Sequence, residues 1–355
     1  MSFRSIQGQS RAISALQHAL QCDRVAHAYL FAGGEGVGKM TAAVEFAKAL
    51  VCSAGADDAC DACPACGKVL HGNHPDIHRL KPEGAGRQIK IGAFHDINTG
   101  EGLLKDLALT PNEASHKVAL IDDAHAMNAY ASNCLLKTLE EPPPKSVLIL
   151  VTPRPDQLLE TILSRCQMIR FAPLAPGLIQ SELETRGVAA GVARILSQSS
   201  GGSLGHALRM AGEPELPNAR RLLLDLFVGI EEANIVQSAA TFTSIVAALA
   251  ASRAENAGTN ARAETRSVTE WLLDLAVLFY RDVAVRQLGF ETSQLANADV
   301  EQLVDAETAI TGFGIRAILD TIEAAKKHIR ANVDLDAAVL DALSRIATYR
   351  KQRAA

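Results

Sequence analysis

A glycine-rich segment ending in lysine constrains the fold of this chain more than any other feature. The apolar run Tyr29–Ala32 predicts a buried strand, the loop Gly33–Lys39 follows it, and a helix is predicted from Thr41 to Val51. Such a loop turns backbone N–H groups toward phosphate oxygens, and the helix N-terminus adds a favourable dipole. A glycine-rich turn without a ligand is the alternative, but the order of strand, loop, lysine and helix favours a phosphate-binding loop.

Further apolar runs along the chain predict more strands of the same sheet. Helical stretches separate most of these runs, and alternation of strands and helices predicts a parallel α/β sheet. Nearly continuous apolar content is typical of strands that are covered on both faces. The predicted strands after the first are Ile77–Leu80, Lys117–Ile121, Val147–Val151 and Met168–Phe171.

The chain of 355 residues is long enough for two or three domains. The α/β pattern ends near Pro173, and short helical segments follow to about residue 213. From there the pattern is helical to the end, including an apolar face on residues 267–286. We therefore predict a nucleotide-binding core over residues 1–173, a helical lid over 174–213 and an all-helical C-terminal domain over 214–355.

Charge and hydropathy exclude some classes of function. The net charge is −5 and the pI is about 6.1, which argues against coating nucleic acid by bulk charge. The N-terminal residues lack the apolar segment of a signal peptide, and no run of about 18 apolar residues predicts a transmembrane helix. We expect a cytoplasmic protein with no membrane partner.

The position of the phosphate loop that usually holds Mg²⁺ departs from the usual pattern. Gly33, Gly36, Gly38 and Lys39 are the candidate phosphate ligands. The next position usually carries a serine or threonine that holds Mg²⁺, but Met40 has no oxygen. Thr41 is a further candidate, although it lies about 100° around the helix and cannot simply substitute. We expect weak ATP binding with Mg²⁺ and inefficient hydrolysis.

Two carboxylates follow the predicted strand Lys117–Ile121. This arrangement resembles a Walker B motif, in which Asp122 would lie near Mg²⁺. The second position is normally a glutamate that orients the attacking water, and Asp123 is one methylene shorter. Two exposed carboxylates that cap a strand are the alternative interpretation, which the phosphate loop makes less favourable.

Four cysteines within fifteen positions predict a metal site in a chain without an export signal. Cys52, Cys60, Cys63 and Cys66 supply four thiolates, enough for a closed tetrahedral Zn²⁺ site with a structural role. A ferredoxin-type cluster would need another Cys-Pro near Leu70, which is absent. Unpaired buried cysteines are the alternative, and His71, His74 and His78 are spare candidate ligands.

Several segments together resemble the bacterial clamp-loader family of AAA+ proteins. The resemblance covers about residues 5–210, and it implies an AAA+ core with a zinc-binding insertion near residues 52–78, a lid and a helical collar domain for oligomerisation. The segments that carry it are His27–Phe31, the four-cysteine insertion, Asn133–Pro143 and Ser164-Arg165-Cys166.

The resemblance implies roles for three further positions. The Ser-Arg-Cys motif carries an arginine finger that reaches the ATP site of the neighbouring subunit, and Arg165 matches it. This residue lies just before the predicted strand Met168–Phe171, which the resemblance places at an edge of the sheet. Thr152 matches the first sensor of the family. The lid arginine that senses the γ-phosphate is replaced by Gly205, and His206 and Arg209 are out of register.

Met40, Asp123 and Gly205 all suggest loss of hydrolysis, while the finger is retained. This profile resembles the delta-prime type of subunit of DNA polymerase III. The resemblance implies gamma/tau and delta subunits as partners, and contact with the sliding clamp and primer-template DNA through the complex. An ATP-hydrolysing gamma/tau-type motor is the alternative. A zinc-dependent DNA-binding module unrelated to replication is a third reading, which the acidic balance disfavours.

Overall fold

The computed structural model describes residues 2–54, 57–82, 88–94, 102–257, 261–292, 295–331 and 333–351. The chain divides into two compact units. The first comprises Met1–Leu178 with Ser203–Gly205, and the second comprises Ile179–Gly202 with His206–Ala355. The division of the chain into three functional domains stays a prediction.

The first unit is built on a parallel five-stranded sheet, as predicted. The strands are β1 (Ala28–Ala32), β2 (Ile77–Leu80), β3 (Lys117–Ile121), β4 (Ser146–Thr152) and β5 (Gln167–Arg170). The expected strands are all present, and their ends differ from the prediction by no more than one residue. They are ordered β2-β3-β4-β1-β5 in the sheet, which places β5 at an edge.

Helices cover both faces of this sheet. Every residue of β1, β3 and β4 is buried, because two separate apolar clusters pack on opposite faces. On one face, the ring of Tyr29 meets the ring of Phe46 edge-on at 5.0 Å between centroids. The helices are α1 (Ser10–Gln21), α2 (Lys39–Val51), α3 (Pro64–Leu70), α4 (Ile91–Phe94), α5 (Leu103–Ala108), α6 (Ala129–Glu140) and α7 (Glu160–Leu163).

Helix α2 begins two residues earlier than predicted. Gly38 precedes it with a φ of +100°, a left-handed conformation that glycine adopts without steric cost. This turn lets the chain enter the helix directly, so Lys39 and Met40 already lie within α2. Because α2 begins at Lys39, the helix sets the backbone conformation of this candidate phosphate ligand.

The second unit is helical. The further helices described in the chain are α8 (Pro176–Thr185), α9 (Ala190–Ser199), α10 (Leu204–Ala211), α11 (Leu216–Gly229), α12 (Ile235–Ala257), α13 (Ala261–Gln287), α14 (Glu301–Ala306), α15 (Gly312–Arg330) and α16 (Leu335–Arg350). The predicted apolar face over residues 267–286 lies on α13, where Trp271, Leu275 and Phe279 are buried. Helix α13 packs against α11, α12 and α15.

One segment tests the expectation that no helix spans a membrane. Within the described residues, Glu232–Ala251 is long and apolar enough to do so by length and composition. Core helices pass the same test, and here Phe242, Val246 and Leu249 of α12 are buried within the unit. About 33% of the segment is buried, and α12 packs against α13 and α16.

Candidate functional sites

The phosphate loop joins β1 to α2 and folds around a buried lysine. Gly36 and Gly38 both have positive φ, at +70° and +100°. The side chain of Lys39 is only 6% exposed, and its Nζ donates a hydrogen bond to the carbonyl oxygen of Gly34 at 2.5 Å. Burial lowers the pKa of Lys39, although the nearby carboxylates of Glu35, Asp123 and Asp122 oppose this effect.

The loop is held against the end of β5 by a buried amide that the sequence analysis missed. Nε2 of Gln9 donates to the carbonyl oxygens of Val37 at 3.2 Å and Ala172 at 2.7 Å. Its Oε1 accepts from the backbone N–H of Ala172 at 3.1 Å. A Cβ on Gly33 would lie 2.3 Å from the carbonyl oxygen of Phe171, so this position requires glycine. The only sequence signal for Gln9 was its place just before α1.

The start of α10 also contacts the loop. The backbone N–H of Gly205 donates to the carbonyl oxygen of Gly36 at 3.0 Å. A Cβ on Gly36 would lie 2.2 Å from Oγ of Ser203, and one on Gly205 would lie 3.1 Å from Cα of Gly36. The two backbones approach this closely because neither residue carries a side chain.

The acidic strand end has an arginine partner. Nη2 of Arg79, on β2, lies 3.3 Å from Oδ2 of Asp122. Asp123 follows with a φ of +47°, and its backbone N–H donates to Oδ1 of Asp122 at 3.1 Å. Asp122 and Asp123 both lie near enough to Lys39 to affect its pKa, so the structure brings the two predicted motifs together.

The sensor candidate Thr152 is buried at the end of β4. Its Oγ1 lies 3.2 Å from Nδ1 of His125 and accepts a hydrogen bond from the backbone N–H of Arg154 at 3.1 Å. His125 lies two residues after Asp123 in the sequence, and this proximity could have identified it. The hydroxyl of Thr152 is therefore engaged by groups of its own chain.

The residues of the candidate nucleotide site fit a phosphate group better than they fit Mg²⁺. Lys39 and the glycine backbone are arranged as a phosphate loop requires. Met40 is partly buried against the apolar cluster under the sheet, and Thr41 is exposed. An exposed Thr41 and a thioether at position 40 supply no hydroxyl at the usual magnesium position. Roles for these residues with a bound nucleotide stay predictions.

The four predicted cysteine ligands converge. All four sulfur atoms lie within 4.8 Å of one another. Sγ of Cys52 lies 3.9 Å from that of Cys63, and Sγ of Cys60 lies 3.9 Å from that of Cys66. Tetrahedral Zn–S bonds of about 2.3 Å place sulfurs about 3.8 Å apart, so this cluster could hold a metal such as zinc.

Backbone groups of the cysteine turns favour thiolates. The N–H of Cys66 donates to Sγ of Cys63 at 3.4 Å. This bond is the largest of several causes that together lower the pKa of Cys63 to about 5, and burial opposes them. Burial raises the pKa of Cys66, which sits deepest in the cluster. A cation bound between the sulfurs would counteract the effect of burial on Cys66, because metal ligation favours the deprotonated form of every thiol.

A buried lysine on α2 forms an ion pair with a residue between the cysteines. Nζ of Lys48, on α2, lies 2.5 Å from a carboxylate oxygen of Asp61 and 2.5 Å from one of Glu45. Asp61 lies between Cys60 and Cys63, so this ion pair connects the cysteine segment to the helix that begins at the phosphate loop.

The histidine His74, a further candidate ligand, is buried. Its Nδ1 accepts a hydrogen bond from the backbone N–H of Asp76 at 3.1 Å.

Arg165 lies between α7 and the edge strand β5. Its Nη2 lies 2.8 Å from Oε1 of Glu140, the last residue of α6, and its Nη1 donates to the carbonyl oxygen of Thr161 at 3.0 Å. The side chain is 35% exposed. Its hydrogen-bond partners in the described part of the chain are Glu140 of α6, Thr161 of α7 and Ser164, which directly follows α7, and none belongs to the phosphate loop.

Comparison with known proteins identifies the family. The family model described as DNA polymerase III, delta subunit, matches residues 8–175. The chain is 30% identical over 334 residues to DNA polymerase III subunit delta' of Bacillus subtilis, and the match covers 92% of each chain. It is 41% identical over 142 residues to subunit delta' of Pseudomonas aeruginosa, covering 40% of this chain and 42% of that one.

The match to a second subunit type is shorter. Subunit tau of B. subtilis is 33% identical over 219 residues, which cover 59% of this chain and 37% of tau. The delta-prime similarity, in contrast, extends through both compact units. This chain belongs to the delta-prime family of DNA polymerase III clamp-loader subunits.

Proposed function

We propose that this chain is a largely non-hydrolysing AAA+ subunit that supplies Arg165 to the ATP site of a neighbouring subunit. It would act in a ring with gamma/tau and delta subunits and help to load the sliding clamp onto primed DNA. The observation that carries the proposal is the placement of Arg165 beside the edge strand β5, with partners on α6 and α7. A guanidinium at that position contributes little to the binding of a nucleotide by its own chain.

The chemistry of arginine supports a role in trans. A guanidinium is planar, permanently charged and able to contact two phosphate oxygens at once. Charge accumulates on the oxygens of a phosphoryl group as it is transferred, and an arginine from a neighbour stabilises it. An exposed arginine at an interface can serve this purpose without a nucleotide site of its own.

The contacts in this chain's own phosphate loop support the non-hydrolysing part of the proposal. Met40 offers no magnesium ligand, and Asp122 has the guanidinium of Arg79 beside it. Gly205 takes the place of the lid arginine and contacts Gly36 through its backbone. Weak nucleotide binding through Lys39 and the glycine amides is still expected.

Substitution of Arg165 in the assembled clamp loader tests the proposal. Arginine fingers contribute about 10³- to 10⁵-fold to a single site, but the loss in a ring should be smaller because other sites keep their own fingers. Arg165→Ala should therefore lower the DNA- and clamp-stimulated ATPase and clamp loading, while the subunit still joins the complex. Arg165→Lys should rescue poorly, since an ammonium lacks the planar fork.

Arg186→Ala is the matched control. Arg186 is also an exposed arginine, and its Nη2 lies 2.7 Å from a carboxylate oxygen of Glu182. Its loss should leave the ATPase unchanged. Unchanged ATPase and loading in a complex verified to contain Arg165→Ala would reduce Arg165 to a structural residue.

An ATP-hydrolysing motor of the gamma/tau type is the second candidate. The similarity to B. subtilis tau over 59% of this chain favours it. The contacts of Met40, Asp122 and Gly205 disfavour it. Steady-state ATPase of the purified chain separates the two, because a motor subunit hydrolyses ATP through its own Lys39.

A further inference from the structure

We infer that Glu140 is a positioning residue for Arg165, orienting the guanidinium toward the phosphate of the neighbouring subunit. This inference rests on the proposed function of Arg165. It assigns a role to a carboxylate that belongs to neither the nucleotide loop nor the cysteine cluster. Its support is the hydrogen-bond geometry around one exposed side chain.

Three hydrogen bonds fix the plane of the guanidinium. Nη1 of Arg165 donates to the carbonyl oxygen of Thr161 at 3.0 Å and to Oγ of Ser164 at 3.3 Å. Nη2 donates to Oε1 of Glu140 at 2.8 Å. Arginine has five N–H groups, and these bonds use three of them, which leaves one on Nε and one on Nη2. Those two remain for an acceptor outside the chain, while Glu140 and Thr161 hold the orientation.

The position of Glu140 is unfavourable for its own helix. It is the last residue of α6, where the helix dipole disfavours a negative charge. The cation of Arg165 offsets this repulsion. At the same time, Arg165 lies at the C-terminal end of α7, where the dipole favours a cation.

The pair is too exposed to serve mainly as a stability device. The side chains are 35% and 53% exposed for Arg165 and Glu140, and ion pairs of this kind contribute little to stability. What the pair does provide is orientation, because a charged hydrogen bond restricts an otherwise flexible side chain. Orientation matters for a group that must meet a phosphoryl oxygen within hydrogen-bonding distance.

The inference predicts the kinetics of Glu140 variants in the assembled clamp loader. Glu140→Ala should lower kcat of the DNA- and clamp-stimulated ATPase by about threefold to tenfold, less than Arg165→Ala does. KM for ATP should stay unchanged, since the finger acts on the transition state. Glu140→Gln should recover most of the activity, because the amide oxygen accepts the same hydrogen bond.

Two controls separate orientation from a general loss of charge. Glu141→Ala removes the same charge from the neighbouring exposed residue and should have no effect. The double variant Glu140→Ala with Arg165→Ala should be no slower than Arg165→Ala alone, because Glu140 acts through the arginine. Incorporation of every variant into the complex is verified before the assay.

The outcomes distinguish the inference from the proposed function. If Arg165→Ala lowers the ATPase and Glu140→Ala does not, the positioning role is wrong and the finger stands. If Glu140→Ala raises the ATPase, the carboxylate restrains the finger, and the positioning role is also wrong. If Arg165→Ala itself has no effect, the proposed function fails, and the inference fails with it.

Discussion

The backbone N–H of Gly205 donates to the carbonyl oxygen of Gly36 at 3.0 Å, joining the start of α10 to the phosphate loop. The first N–H groups of a helix have no partner within the helix, so this bond satisfies one of them. It also brings the two backbones so close that a Cβ on Gly205 would lie 3.1 Å from Cα of Gly36. A residue with a side chain at position 205 cannot keep this contact without a shift.

The first prediction concerns that contact. Gly205→Ala should weaken it, and the amide of residue 205 should exchange its hydrogen faster. Within an ordinary helix the same change is stabilising by roughly 0.5–1 kcal/mol, so faster exchange would identify the close approach as the cause. Hydrogen exchange resolved to the peptides that contain residues 36 and 205 measures the effect.

Gly191→Ala is the control for the helix propensity. Gly191 is the second residue of α9, as Gly205 is of α10, and a Cβ there would meet no atom within 4 Å. Protection of α9 should stay the same or increase in this variant. Equal protection at position 205 in the wild type and in Gly205→Ala would show that the two backbones are not in the contact described.

The second prediction concerns hydrolysis by the chain alone. The purified protein should turn over little or no ATP, and Lys39→Ala should not reduce the rate further. Met40→Ser should not restore activity by itself, because Asp123 and Gly205 remain. Steady-state ATPase with Mg²⁺ measures this. Robust turnover that Lys39→Ala abolishes would instead support the motor interpretation.

Local patterns made the sheet predictable, whereas contacts distant in sequence were not. The five strands are short apolar runs between helices, so their positions follow from composition alone. The helix α2 starts earlier than predicted because the conformation of Gly38, not the hydrophobic pattern, sets its first turn. A backbone angle of that kind is not visible in the order of the residues.

The candidate sites also differ in whether their residues are close together or far apart in the sequence. The cysteine ligands lie within one short segment, so their spacing was informative. The partners of the other site residues come from elsewhere: Glu140 lies 25 positions from Arg165, and Arg79 lies 43 positions from Asp122. Neither pair has a sequence signature, because the packing of separate elements creates it.

The third prediction concerns the metal. The purified chain should contain about one Zn²⁺ per molecule, as expected for four thiolates in a closed site. Cys63→Ser should lose the metal and local order around residues 57–70, since structural zinc contributes folding energy directly. Elemental analysis under reducing, chelator-free conditions measures the content. Cys22→Ser, an exposed cysteine outside the cluster, should keep its zinc.

The same site should release zinc as the pH falls. Protons compete with the metal for the thiolates, because only the deprotonated sulfurs bind the ion. Affinity should therefore be greatest at neutral and higher pH and decline on acidification. Titration with a chromophoric chelator at several pH values checks the sign. Zinc retention that is independent of pH would argue against thiolate ligation.

The last prediction concerns a buried ion pair in the helical unit. Arg350, the last residue of α16, contacts the carboxylate of Glu307 through Nε at 2.7 Å and Nη2 at 2.6 Å. The two side chains are only 7% and 1% exposed. Nη1 of Arg350 also donates to the carbonyl oxygen of Ile230, which follows α11. The pair therefore joins three separate parts of the unit.

Arg350→Met should destabilise this unit by about 3–5 kcal/mol, because it leaves the carboxylate of Glu307 buried without a partner. Replacing both residues, as Arg350→Met with Glu307→Leu, should recover much of that loss, since apolar packing costs no desolvation of charge. Arg345→Ala, which breaks an exposed pair with Asp341 on the same helix, should change stability by less than about 1 kcal/mol. Urea unfolding followed by the fluorescence of Trp271, the single tryptophan of the chain, reports on this unit. Equal midpoints for Arg350→Met and Arg345→Ala would show that the buried pair has no special role in holding the helices together.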